Sequence, residues 1–439
     1  MDSLIVLFYS VLIGSIGYAV VSKLAKSSLN ALERVVFGYA LGVGLTGYLL
    51  FYLSRFGVSW NSYLALLTLG VLVSVVYILR QGGAIRTVRL FEFRLSEKAL
   101  LFLIGVTALY TLIQNQMRPV IGWDAWAIWL LKAKIFYIDG AVNAVSFFYS
   151  DSAYPYVLSL YSTSVYIFLG GVNDTAVLIT HYVFYVLIAG LLFTLLNDKI
   201  GRFYSLVVVF LYLSTQNVIR HGGRFEAGYS DLALGLYLFC TVVLLSRLTI
   251  MLNWSGVFLL SIFIGLCGMV KNDGLPFAIM LLVVAIFKIT QKRKYGLLLP
   301  LFIGLIPLID WHLYKVILSL PIEPFPFHPR NNISYFFPIF FHMFQEFFHF
   351  RNWNMLWLIF ILSTFLHCIF RKTTSFVAFF IFYQLFVYFV IFLVTSVQPP
   401  TSHVDNTINR LLLHVVPLSF YFIAVSIFTK KSQDLRFFS

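Results

Sequence analysis

Long apolar runs alternate with short polar turns along the whole chain, and the runs are too unbroken to be the single stripe of a surface helix. Runs of spanning character lie at about 3 to 21, 35 to 53, 62 to 79, 99 to 113, 175 to 195, 203 to 216, 230 to 247, 254 to 270, 275 to 290, 297 to 317, 353 to 370, 375 to 395 and 409 to 428. With ~20 apolar residues per crossing, they predict an all-α polytopic membrane protein of about 13 transmembrane helices. One further apolar stretch, 156 to 169, would invert everything after it if it crossed.

Charge decides that question. Without the extra crossing, one side receives Lys23, Lys26 and Arg34, then Arg80, Arg86, Arg89, Arg94 and Lys98, then Lys199, Arg202 and Arg247. The turns QKRKYG, RKTT and KKSQ, with Lys288 and Arg436, fall on the same side and bring its share to about two thirds of the 31 basic residues, which marks the cytoplasm. The N-terminus is then outside and the C-terminus inside, and 156 to 169 reads as a re-entrant or interfacial helix. The loop from Gln291 to Tyr295 is expected in the cytoplasm and that from Pro321 to Asn332 outside. The first apolar run lacks a basic segment before it, so it reads as a retained anchor. Residues 1–98 read as an accessory set of helices and 99–439 as the core.

Composition sharpens this picture. The chain of 439 residues is 60% hydrophobic and only 11% charged, too few charges for the surface of a water-soluble domain. A net charge of +14 would point to nucleic acid in a soluble protein, but here the basic residues orient the chain, and no nucleic-acid partner is expected. Cys240, Cys267 and Cys368 sit inside apolar runs and form neither a disulfide framework nor a zinc spacing. Nucleotide-binding glycine patterns are absent. Most of the 17 acidic residues fall on the side opposite the basic turns, where charge does little for topology and binding or catalysis would explain them.

The loops on that side carry the candidates. In the first, GWDAW places Asp124 just past a membrane helix, beside Trp123, with Lys132 and Lys134 on an apolar, aromatic stretch that reads as a helix in the interface plane. The bland alternative is that Asp124 caps this helix. Asp151 and the Tyr154-Pro155 pair follow. The second loop concentrates Arg220, His221, Arg224, Glu226 and Asp231 around three glycines, and Asp231 could equally be a helix cap. Lys271-Asn272-Asp273-Gly274 puts a cation and a carboxylate in a tight turn, whose plainer reading is a hairpin with solvated charges. His403, Asp405 and Arg410 precede the last helix, where an arginine commonly snorkels to the interface. Lys271 and Arg410 both fall at helix ends, so alanine at either is expected to spare the fold. His342, Glu346 and His349 share a face if one helix carries them, a metal-like spacing that a Phe-rich interfacial helix explains as well. His181 and His414 lie within apolar spans, where packing or a local hydrogen bond is the usual role.

Taken in order, GWDAW, an interfacial helix, Tyr-Pro, GYSDL, KNDG and NRLLLHVVP resemble the GT-C membrane glycosyltransferases, in particular bacterial relatives of the protein O-mannosyltransferase and lipid A aminoarabinose transferase group. The similarity covers about residues 99 to 428. It implies a GT-C-like fold in the bacterial cell membrane, a polyprenyl-phosphate sugar donor, a glycan, lipid or protein acceptor, and a site on the outer face. Asp124 matches the position of the general base, Asp231 would support the site, and Lys271 and Arg410 would hold the donor phosphate, with Arg220 and Arg224 as further candidates. Trp123, Lys132, Asp151, Tyr154 and Asp273 would line the donor or acceptor sites. Loop 318 to 352 is expected to select the acceptor. No cofactor is implied with certainty, and a divalent cation is left open. The rival readings are a transporter or flippase, and a noncatalytic assembly protein.

Overall fold

The computed structural model describes residues 1–25, 28–80, 93–143, 146–147, 150–320, 332–371 and 375–429. Among these residues every regular element is helical. Lys26, Arg86, Arg89, Lys372, Lys430, Lys431 and Arg436 of the basic turns, and 321–331 of the loop assigned to acceptor choice, lie outside the described residues.

Among the described residues seven helices are long and apolar enough to cross a membrane: α1 (Asp2–Ala25), α2 (Ala31–Arg55), α3 (Asn61–Arg80), α4 (Leu95–Met117), α7 (Asp174–Ile200), α12 (Gly274–Gln291) and α18 (Phe376–Val394). Between α4 and α7 lie α5 (Leu130–Asp139) and α6 (Val157–Leu169). Three bent pairs pass the same test together: α8 (Arg202–Leu213) with α9 (Gln216–Gly223) at 66°, α13 (Leu298–Ile303) with α14 (Ile306–Ile317) at 52°, and α19 (Pro400–Leu413) with α20 (Val416–Phe428) at 57°. Counting each pair once raises the number to 10. The chain is a polytopic helical membrane protein.

Three of the remaining helices are α10 (Asp231–Ser246), α11 (Trp254–Val270) and α17 (Leu356–Arg371), apolar but short, while α15 (Phe336–Phe347) and α16 (Phe350–Trp353) are not counted among the spans. A helix apolar on all sides belongs in the middle of a bundle, and α10 accordingly buries every residue from Asp231 to Leu245.

The two ends of α10 carry two different sets of charges, separated by its 16 residues, or roughly 24 Å of helix. At its C-terminus Arg247 donates to Glu33 of α2 at 2.6 and 2.7 Å, and at that same end of the bundle α8 meets α4 through Arg202 and Glu97. At its N-terminus Asp231 meets His221 of α9, Lys271 just past α11, Arg410 of α19 and His414 after it, and Arg410 in turn holds Asp124 from the segment after α4. This is the site end.

Helix α6 begins and ends at the site end. Tyr156 before it stacks on Phe51 in the last turn but one of α2, and Tyr166 near its C-terminus donates to Asp174, the first residue of α7. Between those points Tyr161 reaches Ser10 and Tyr39 inside the bundle. The first three helices are built onto the rest: Tyr9 of α1 donates to Ser164 of α6 at 2.6 Å. Helices α1 and α2 touch backbone to backbone, since a Cβ on Gly17 would lie 1.9 Å from the Gly38 carbonyl oxygen.

The runs 203 to 216, 297 to 317 and 409 to 428 belong to bent pairs, with Pro307 and Pro417 in the first turn of the second helix in the latter two. One expectation needs correction. The helix expected to carry His342, Glu346 and His349 on one face ends at Phe347, so His349 leaves that face. His342 pairs with Asp405 at 2.7 Å, and among the described residues no group of three or more His, Cys, Asp or Glu is placed to hold a metal ion.

A candidate active site at one end of the bundle

The chain leaves α4 at Met117 and turns at Gly122, where a side chain would strike the Phe225 carbonyl at 2.6 Å and the Tyr229 ring. A π-helical turn, Ala125–Trp129, follows at once and leads into α5. Such turns recur at functional sites because they re-aim side chains without ending the helix. Asp124 sits in right-handed helical geometry and makes no side-chain capping bond. Its carboxylate is turned instead to the Arg410 guanidinium, with which it forms a close ion pair.

Arg410 joins Asp124 to Asp231, its Nε lying 3.4 Å from the second carboxylate. Asp231 is wholly buried and is the hub. It accepts from Lys271 Nζ at 2.7 Å and pairs with His414 Nε2 at 2.9 Å, while His221 Nε2 stands 3.7 Å away. His414 Nδ1 in turn meets the Tyr388 hydroxyl at 2.6 Å. Lys271 also reaches Asp273 at 2.7 Å. A charge can be buried only when paired and hydrogen-bonded, and here three carboxylates share two permanent cations.

The electrostatics follow. Burial alone would drive the Lys271 ammonium toward neutrality, but Asp231 and Asp273 outweigh it and hold its pKa above the usual lysine range. Burial would raise Asp273, yet Lys271 beside it holds that carboxyl below its ordinary value. Asp124 and Asp273 keep side-chain exposures of 14% and 26%, while Asp231 has none, so a ligand can reach the first two only.

Tyr154 forms the adjoining wall. Its ring lies 5.3 Å from that of Trp129, and its carbonyl accepts from Lys132 Nζ at 2.9 Å. Lys132 is fully buried, and desolvation lowers its pKa to about 7 in spite of nearby Asp151. Instead of facing lipid along the interface, α5 buries Leu130, Lys132, Ala133 and Phe136 in the bundle, whereas Trp123 and Trp126 remain exposed.

Asp124, Asp231, Lys271, Asp273 and Arg410 thus come together from four separate segments, with Tyr154 and Lys132 alongside. The capping roles of Asp124 and Asp231, the solvated hairpin at Lys271 and the snorkelling Arg410 are all replaced by this network. Lys271 is 4% exposed, which corrects the expectation that alanine there would spare the fold. Asp151 caps its own turn through the Ala153 amide. Arg220 and Arg224 do not join the cluster: Arg220 is paired with Glu226, and both line a separate pocket. The sequence reading gave His414 only a packing or local hydrogen-bond role and did not single out Tyr388, since both sit in apolar runs. The one signal was the polarity of His414 four residues after Arg410, on the same helical face.

Fold and site together define a helical membrane protein with a buried charged cluster at one end of its bundle. Compared with protein-family models, curated proteins and solved structures, the chain matches none.

Proposed function

We propose that this protein is a GT-C-like glycosyltransferase of the cell membrane, moving a sugar from a polyprenyl-phosphate donor to an extracytoplasmic acceptor. The observation that supports it most is the partly open Asp124 joined through Arg410 to the buried Asp231–Lys271 pair, at helix termini. In the topology that goes with this reading, α10, α11 and α17 also cross, which gives 13 crossings with α6 re-entrant and the cluster outside.

The chemistry needs both signs of charge. The bond between sugar C1 and the phosphate oxygen breaks, its electron pair leaves with polyprenyl phosphate, and the acceptor oxygen bonds to C1 while its proton passes to Asp124. Arg410, 18% exposed, supplies a guanidinium to the departing phosphate, and Lys271 pairs with Asp231 behind it. When the phosphate takes over Arg410, the Asp124 carboxylate is released from its ion pair and is free to meet the acceptor hydroxyl. Trp123 and Trp126, exposed and 4.8 Å apart, suit the lipid boundary where the carrier chain lies.

A transporter would place such charges near the middle of its spans. Here Asp231 opens α10, Lys271 follows α11 and Asp273 precedes α12. The test is to incubate the purified protein with a panel of radiolabelled undecaprenyl-phosphate sugars and envelope extract. Release of undecaprenyl phosphate with label in a glycan, lipid or protein supports the reading, and folded protein that consumes none of the donors favours the transporter.

A further inference from the structure

A pocket of about 410 Å³ opens between α9, the α15–α16 corner and α19, on the face of α19 that carries Asp405 and Asn409. It is separate from the cluster around Asp231. Its acidic groups are all engaged. Glu346 accepts from Asn352 at 2.8 Å and from the Trp353 indole at 2.7 Å, and Asp405 is held by His342. Nearby Glu226 holds Arg220.

Of the three guanidinium groups lining the pocket, Arg220 is matched by Glu226 and the other two are not. Arg224 and Arg351 line the pocket, and neither makes an ion pair within the described residues. Arg224 Nε is buried and without a hydrogen-bond partner, as is Asn409 Oδ1. The Arg118 and Arg224 guanidinium groups both lie over the Phe225 ring, 5.2 and 5.3 Å from its centre. A buried guanidinium N–H left unpaired is costly, and arginine suits the bidentate capture of phosphate and carboxylate.

We infer that this pocket is an anion site, taking a phosphate or carboxylate group borne by an acceptor or by a lipid headgroup, with Arg224 and Arg351 as its ligands. Neighbouring residues Asn409 and Arg410 divide the two sites between two faces of α19. On the glycosyltransferase reading, an acceptor anchored here by its acidic group would offer a hydroxyl toward Asp124.

The experiment is calorimetric titration of the full-length protein, in uncharged detergent, with inorganic phosphate and with glucuronate. Wild type should bind at least one of them saturably. Arg224→Gln/Arg351→Gln should weaken that binding roughly 10-fold or more, the loss expected for two charge-assisted contacts. Arg224→Lys/Arg351→Lys, which keeps the charge, should recover part of it, and Lys199→Gln at the other end of the bundle should bind as wild type does. Failure of wild type to bind either anion, or equal binding by the Gln variant, overturns the proposal. In nanodiscs, competition by phosphatidylglycerol but not phosphatidylcholine assigns the anion to a headgroup, and equal binding in both assigns it to an acceptor. Binding is read without any transfer assay, so this site and the glycosyltransferase reading can fail independently.

Discussion

Removing one partner of the Asp231–Lys271 pair should cost far more than removing both. Their side chains are 0% and 5% exposed and 2.7 Å apart, so Lys271→Met leaves a carboxylate in the interior held by His414 and Arg410, with His221 at 3.7 Å. Breaking a buried pair from one side typically costs about 3–5 kcal/mol, and the surviving partners put Lys271→Met near ~3 kcal/mol. Asp231→Asn leaves the ammonium with Asp273 alone and should also cost about 3 kcal/mol. In the double variant neither charge remains, and a buried pair replaced by groups of similar volume is near neutral, so a loss of only about 1–2 kcal/mol is expected. The measurement is reversible unfolding in mixed dodecylmaltoside and SDS micelles, followed by tryptophan fluorescence. A double variant whose loss equals the two single losses added together, within about 0.5 kcal/mol, would refute the reasoning.

Three other outcomes follow from the structure. Because the native Lys132 pKa is lowered to about 7, the unfolded chain binds more protons between that pH and the ordinary lysine value; stability should therefore rise with pH from about 7 to about 10, and Lys132→Met should flatten that rise in a thermal-midpoint series. Gly17→Ala should separate α1 from α2, since its Cβ would meet the Gly38 carbonyl at 1.9 Å, and should lower stability by about 3 kcal/mol or more; a silent substitution would mean the helices do not touch there. In intact cells Val172→Cys, at the site end, should react with an impermeant thiol reagent and Lys292→Cys should not, with the reverse pattern overturning the proposed orientation.

Hydropathy alone carried the helical membrane fold, because the bilayer demands long apolar runs whatever their neighbours are. It could not show where α8, α13 and α19 bend, since a bent span keeps the composition of a straight one. Asp124, Asp231, Lys271 and Arg410 stood out individually as charges interrupting apolar sequence. Their meeting was not legible, because 286 residues separate Asp124 from Arg410 and 183 separate Asp231 from His414. Spacing within a motif reports neighbours on one helix, and this cluster is made by contacts between helices. Arg224 was read with the phosphate ligands for its charge, but α9 and its turn carry it to a different pocket.

If Asp124 is the base of the proposed sugar transfer, an isosteric change there separates proton acceptance from ion pairing. Asp124→Asn keeps the size of the side chain and can still accept a hydrogen bond from Arg410, but it cannot take up the acceptor's proton. The initial rate of transfer from a polyprenyl-phosphate sugar should be compared in purified wild type and Asp124→Asn, with the thermal midpoint of each recorded. Loss of the base should lower the rate by roughly 10²-fold or more with the midpoint nearly unchanged. Transfer by Asp124→Asn at the wild-type rate would contradict it.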